Sequence, residues 1–249
     1  MKILLHGAAG HMGRIIRGLI EARNDCELAA AVDASGADGC LPLLDEFTGN
    51  AADCIIDFSH HSATSALLQY ASSRRLPLVI ATTGQTEYER AAIAEAADSI
   101  PVFFSANMSP AIAMLADMAA QAAAMFPDAD IEIVERHHNR KVDVPSGTAL
   151  LLAHAIQGAL PDSTLLVGRH ENGRRKKREI SIHSLRMGNE VGTHEIIIAT
   201  GTQTITLKHE AEDRALFAEG ALAAAEFIIR QPAGLYAMQD LIDDRATTR

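Results

Sequence analysis

"KILLHGAAGHMGRIIRGLIEAR", residues 2–23, passes from one structural period to another within a few positions. Its first five residues, Lys2 to His6, form a mostly apolar run of strand length. From Met12 onward, Ile15, Ile16, Leu19 and Ile20 recur at helical spacing. Between the two runs stand Gly7, Gly10 and Gly13, in the order G-x-x-G-x-x-G. Glycines at such a turn let the backbone approach a pyrophosphate, whose charge then meets the helix N-terminus. The commoner spacing is G-x-G-x-x-G, and glycines alone carry little weight. Asp33 adds to them. It ends the next apolar run, 20 residues beyond Gly13, where a carboxylate accepts hydrogen bonds from an adenosine ribose. The competing reading is a plain turn followed by a capping aspartate.

Further along, strands are expected at 26–33, 54–58, 76–84 and 100–107. Helices are expected at 12–23, 62–75 and 86–99, the last opened by Thr86 as a cap. Strands spaced by crossover helices imply a doubly wound, Rossmann-type α/β domain with a parallel sheet. Ligands of such sheets bind beyond the carboxyl ends of the strands. The candidate cofactor-binding residues are therefore Gly7, Ala8, Ala9, Gly10, His11 and Met12 in the first loop, with Asp33 after the second strand. "ATTG" (81–84) adds Ala81, Thr82 and Thr83, and "SANMS" (105–109) adds Ser105, Ala106, Asn107 and Met108.

The second half changes character. A helix near 110–125 leads to a strand at 130–136. After a further helix come strands at 179–188, 193–201 and 202–210, the last two joined by a tight hairpin at Gly201. Strand runs without intervening helices imply an α+β domain on an open mixed sheet, paired mostly antiparallel. An amphipathic helix at 214–230 is expected to return to the first domain. The division is thus 1–108 plus 214–249 for the dinucleotide, and 109–213 for the substrate.

That second domain contains "ERHHNRKVDVPSGTA" (135–149), with two histidines, two arginines and a lysine before a Pro-Ser-Gly turn. Ser146 suits a helix N-cap, with Gly147 and Thr148 as the first helical residues. The open N–H groups of such an end bind carboxylates or phosphates. Lys141, His137 and His138 precede it closely enough to face the same anion. A histidine donates a proton near neutral pH, and Glu135 or Asp143 is a candidate neighbour to tune it. A lone histidine would be a surface residue; the cluster points to a site.

Composition sets bounds. The chain has 249 residues, 48% of them hydrophobic, and no tryptophan, so Ala, Leu, Ile and Val fill the core. A net charge of −10 argues against nucleic-acid and anionic-membrane partners, and makes any anion site gather its cations locally. Cys26, Cys40 and Cys54 form no C-x-x-C motif and read as reduced thiols, no metal site is expected, and no secretory signal or transmembrane segment is visible. A cytoplasmic enzyme is the expectation. The basic run "GRRKKR" (173–178) reads as a solvated loop.

These residues resemble the 4-hydroxy-tetrahydrodipicolinate reductase (dihydrodipicolinate reductase) family, most specifically in "ERHHNRKVDVPSGTA". "GAAGHMG", "ATTG", "SANMS", "SLRMGNEVGTHE" and "GLYAMQDLI" agree in order and spacing, so the likeness covers nearly the whole chain. The resemblance implies an NAD(P)H-dependent reduction in lysine and diaminopimelate biosynthesis. It implies His137 and Lys141 as the acid groups, and His138, Lys141, Ser146, Gly147 and Thr148 as holders of a cyclic dicarboxylate. It implies a homotetramer assembled through the second domain. The chain departs from the family where arginine is usual at His11 and His60, where a basic residue often follows Asp33 and Ala34 stands here, and in lacking the glycine usual two residues after Ser109. With no full cation at 11 or 34, NADH is the expected cofactor, with NADPH also accepted. The alternatives are another two-domain dehydrogenase of small acids or sugars, and a catalytically inactive nucleotide sensor. A hydrolase built on Ser146 is disfavoured, because that serine lacks a nucleophile elbow.

Overall fold

A computed structural model describes residues 1–49 and 52–247. The chain divides into two compact units, Met1–Pro110 with Ala215–Arg249, and Ala111–Arg214.

The first unit begins with β1 (Lys2–His6), α1 (His11–Glu21), β2 (Glu27–Val32), β3 (Cys54–Asp57), α2 (Thr64–Arg74), β4 (Leu78–Ile80), α3 (Glu87–Ala97) and β5 (Pro101–Phe104). The strands pair in parallel, which requires cover on both faces and explains their unbroken apolar runs. Leu4, Ile55, Leu78, Ile80 and Val102 form one core with Leu67, Ala71 and Ile93 of α2 and α3. Thr86 caps α3 in a reciprocal box: its hydroxyl accepts from the Glu89 N–H, and the Glu89 carboxylate accepts from the Thr86 N–H. The strand expected at 76–84 is only Leu78–Ile80, because "ATTG" already forms the loop.

The second unit holds α4 (Pro110–Met125), β6 (Asp130–His137), α5 (Gly147–Ala159), β7 (Thr164–Val167), β8 (Glu179–Arg186), β9 (Gly192–Ala199) and β10 (Thr204–Ala211). Its sheet runs β10-β9-β6-β8-β7. The expected antiparallel bias is not found. β9 pairs antiparallel with β10 and β6, whereas β8 pairs parallel with β6 and β7, because α5 and the long 168–178 loop act as crossovers. Ile131, Ile133, Ile180, Ile182, Ile196 and Ile198 point to one face and pack with Leu115 and Ala119 of α4 and Leu152 and Ile156 of α5. Each such isoleucine stabilises the unit by about 1.5–3 kcal/mol relative to exposure. The basic run is only partly solvated. Arg175 folds back to pair with Asp130 and Glu132 and to donate to the Ile131 and Glu179 carbonyls, satisfying acceptors at the starts of β6 and β8.

The chain then returns to the first unit as α6 (Ala215–Ile228), β11 (Gly234–Tyr236) and α7 (Met238–Thr247). β11 extends the parallel sheet to the order β11-β5-β4-β3-β1-β2. α6 packs along α1 and the central strands. The sequence pattern had shown neither β7, β11 nor α7. No described helix is long and apolar enough to cross a membrane.

Candidate active site

In the first unit, the carboxyl ends of β1, β2, β4 and β5 carry the four loops singled out in the sequence. Gly7 has φ +80°, and a Cβ there would lie 2.4 Å from the Phe58 carbonyl oxygen. A Cβ on Gly13 would lie 2.2 Å from the Gly7 carbonyl oxygen, so the loop closes tightly onto α1 only with glycine at both positions. The buried Ala8 follows Gly7, while Gly10 and His11 are exposed at the start of α1, whose first N–H groups no side chain caps. A turn of this shape fits a dinucleotide pyrophosphate. Asp33 accepts from the Ala9 N–H at 3.1 Å, and from the Ser35 N–H and hydroxyl at 3.0 and 2.6 Å. The Ser35 bonds above all hold its carboxyl below the usual range, so it stays an acceptor. Beside it a cavity of about 380 Å³ is lined by Ala34, Leu43, Ala63 and Tyr70.

The other two loops are built by local hydrogen bonds. Ala81 and Thr82 are buried and Thr83 is exposed, with the Thr82 carbonyl accepting from the Gln85 side chain at 2.8 Å. The Ser105 hydroxyl donates to the Asn107 carbonyl at 2.7 Å, and the Asn107 side chain accepts from the Ser109 N–H at 2.9 Å. Ala106 is exposed between them, and Met108 is buried. A pair that sequence reasoning missed lies on the same sheet edge: His6 Nδ1 and Asp57 Oδ1 are 2.8 Å apart and buried at the ends of β1 and β3.

In the second unit, period-two alternation along β6 continues the isoleucine face into Glu135 and His137. Glu135 is 0% exposed. Its Oε2 lies 2.5 Å from His137 Nδ1, and Arg186 on β8 grips both carboxylate oxygens at 2.8 Å. Oε1 also accepts the Ser146 N–H at 3.2 Å. Burial alone would raise this carboxyl, but the bonds from His137 and Arg186 outweigh it and hold the group well below the usual carboxylate range. Ser146 is the N-cap of α5: its hydroxyl accepts from the Ala149 N–H at 3.1 Å and meets His194 Nε2 at 3.0 Å. Above the cap, a Cβ on Gly147 would meet nothing within 4 Å, and Thr148 follows it in the first turn.

Lys141 lies half-buried with Nζ 2.9 Å from Asp143. Of the two carboxylates weighed as neighbours of the histidines, Glu135 therefore meets His137, and Asp143 meets the lysine. His138 Nε2 is 3.3 Å from Arg214, and its buried Nδ1 has no partner. Burial first, then the cations of Arg140 and Arg214, keep that ring below its ordinary range. His194, edge-to-face with His137 at 5.2 Å between ring centres, is pushed down to about 3 by burial and then by the His137 charge. Arg186 and His194 escaped the sequence reading because only strand register brings them beside Glu135: His137 faces Arg186, and Glu135 faces His194. This cluster offers a histidine with one fixed nitrogen, a lysine, and a helix start suited to carboxylates.

A family model described as dihydrodipicolinate reductase, N-terminus, matches residues 1–108, and its C-terminus counterpart matches 111–242. The chain is 42% identical to the 4-hydroxy-tetrahydrodipicolinate reductase of Caldanaerobacter subterraneus subsp. tengcongensis, over 97% of this chain and 98% of that one. It is 39% identical to the enzyme of that name from Clostridium tetani, over 98% and 97%. Among solved structures, dipicolinate-bound dihydrodipicolinate reductase from Paenisporosarcina sp. TG-14 shares the fold, with a TM-score of 0.80 at 23% identity over 95% of this chain and 97% of that one.

Proposed function

The chain belongs to the dihydrodipicolinate reductase family, and from that membership we propose how its own residues reduce 4-hydroxy-tetrahydrodipicolinate in lysine and diaminopimelate biosynthesis. The family uses a nicotinamide cofactor, which when bound supplies the hydride. The observation that carries our assignment is the placement of His137 and Lys141 on the segment that leads into the Ser146-capped N-terminus of α5.

A cyclic dicarboxylate brings two negative charges into an acidic protein. Lys141, His138 and the turn at Ser146, Gly147 and Thr148 compensate them, joining a full charge to the partial charge of a helix start, while the Ser146 N–H itself stays with Glu135. The ring loses its 4-hydroxyl with a neighbouring ring proton as water, which leaves a conjugated imine; hydride addition to that system gives an enamine-type anion, which must take up a proton. His137 delivers it through Nε2, and Lys141 holds the neighbouring carboxylate and supports the transfer. The test is NADH oxidation followed by absorbance, with and without the cyclic product of pyruvate and aspartate semialdehyde. Oxidation that does not depend on that product would sink the assignment.

In the first unit, Gly7, Ala8, Ala9, Gly10, His11 and Met12 cradle the pyrophosphate, and the cavity beside Ala34 takes the adenine. Ala81, Thr82, Thr83, Ser105, Ala106, Asn107 and Met108 line the nicotinamide half. We infer a preference for NADH, with NADPH accepted less well. An ionised Asp33 accepts from a free 2′-hydroxyl and repels a 2′-phosphate, and no Lys or Arg stands at position 11 or 34 to offset that repulsion.

We further propose a homotetramer joined by the outer face of the second sheet. That face presents Val134, Ile197 and Leu185, the last 41% exposed. A cytoplasmic location fits the three free thiols.

A further inference from the structure

One carboxylate in the second unit accepts four hydrogen bonds from three residues on separate segments of the chain. Glu135 Oε2 takes His137 Nδ1 and one Arg186 nitrogen, and Oε1 takes the other Arg186 nitrogen and the Ser146 N–H. A fully buried carboxylate is costly unless it is saturated in this way. Two of its partners belong to the proposed chemistry, one as proton donor and one as the cap of the anion-binding helix. We propose that Glu135 is a positioning residue that fixes the His137 ring through Nδ1 and the first turn of α5 through Ser146, so that donor and anion cradle keep one mutual geometry. This rests on the assignment of His137 as the proton donor.

The chemistry follows from which atoms are left. An ionised Glu135 can only accept, so Nδ1 of His137 carries hydrogen in both protonation states of the ring. Nε2 then becomes the nitrogen that gains and loses the mobile proton, and it has no protein partner among the described residues. The backbone of Gly192 lies along this nitrogen: a Cβ there would come within 2.9 Å of Nε2. The other titratable or charged groups around the ring are Arg186 from β8, which shares Glu135, His194 from β9, and His138, the next residue along; Lys141 and Asp143 of the loop before α5 pair with each other. Among them Glu135 is the one anion in direct contact, and it holds the ring through Nδ1.

The experiment compares wild type with Glu135→Gln, Glu135→Asp and His137→Gln, reading the pH profile of kcat/KM and the affinity for NADH. Glutamine keeps the shape but removes the charge and puts an amide N–H where His137 needs an acceptor. The alkaline limb of kcat/KM is expected to move down by about one to two pH units, with NADH affinity unchanged. Glu135→Asp should keep the limb near its wild-type place while lowering kcat. An alkaline limb unmoved in a Glu135→Gln enzyme that binds NADH normally would overturn the proposal, leaving the carboxylate a purely structural group. If Glu135→Gln does not fold, ¹⁵N NMR of histidine-labelled wild type decides: protonated Nδ1 with a titrating Nε2 supports it, and the opposite tautomer overturns it. Wild-type kcat in His137→Gln would instead remove His137 as the donor, a failure distinct from that of the Glu135 proposal.

Discussion

Arg14 is paired with Asp38, its Nε at 3.0 Å and its NH2 at 2.9 Å from the same carboxylate oxygen. This cation of α1 is thus engaged by the loop that follows β2, and Arg17 donates to the Asp38 carbonyl beside it.

This pairing bears on cofactor choice. The kcat/KM for NADH should exceed that for NADPH by about ten- to a hundredfold, the worth of one charge-assisted hydrogen bond of about 1.5–3 kcal/mol. Asp38→Ala should release Arg14 and narrow the ratio by roughly tenfold, mainly through the KM for NADPH. An unchanged ratio would mean that Arg14 does not reach the 2′ position.

Replacing His137 with Gln should lower kcat by about 10²–10⁴, the usual worth of a positioned acid, while NADH affinity holds. Lys141→Ala should raise the KM for the dicarboxylate as well as lower kcat. Steady-state kinetics on both variants separate the two roles, and a Lys141→Ala enzyme with an unaltered KM would exclude the lysine from binding.

Gly192→Ala tests the space beside His137. The ring is pinned by Glu135, so it has little freedom to yield to a Cβ at 2.9 Å. The expected outcome is a fall in kcat without loss of NADH binding. Retained wild-type turnover would show that the ring swings aside at little cost.

His194 gives the fold a pH dependence with a defined sign. The unfolded chain takes up this proton near 6.5, the folded one only near 3. Between those values the unfolded state binds more protons, so the contribution is complete above about 6.5 and is lost as pH falls toward 3. At pH 5 the loss is about 2 kcal/mol, several degrees of Tm. Thermal unfolding of His194→Asn should show a flatter decline between pH 7 and 5 than wild type; equal slopes would rule the histidine out.

Assembly is read from scattering mass: a homotetramer is expected at micromolar concentration, and Ile197→Asp on the outer sheet face should reduce it. A wild-type monomer would refute the arrangement.

Much of this was legible in the chain itself, for physical reasons. Glycines under steric demand at 7 and 13, and the Thr86 and Ser146 caps, are local features, so local sequence shows them. Glu135 was one of two candidate neighbours for the histidines; the strand, expected to stop at 136, runs on to His137, so the two residues stand two apart and share a face. Arg186 and His194 were invisible because their meeting with Glu135 depends on pairing registers between strands about 50 residues apart in sequence. The parallel pairing of β8 was missed because its crossovers include an irregular loop. Arg175 looked like one more solvated cation until the strand starts supplied its acceptors.

The return of α6 and β11 to the first unit has a consequence for synthesis. The second unit, Ala111–Arg214, is continuous and has its whole sheet and core once β10 has been made. The first unit begins earlier but is finished later, because its edge strand β11 and the helix across β3, β4 and β5 come from residues beyond 214. Until they emerge, β5 is an open sheet edge and the apolar surface under α6 is bare, which is the state that invites mispairing on the ribosome. Nascent-chain proteolysis should therefore find the second unit resistant first, and the glycine loop protected only after β11 has left the exit tunnel.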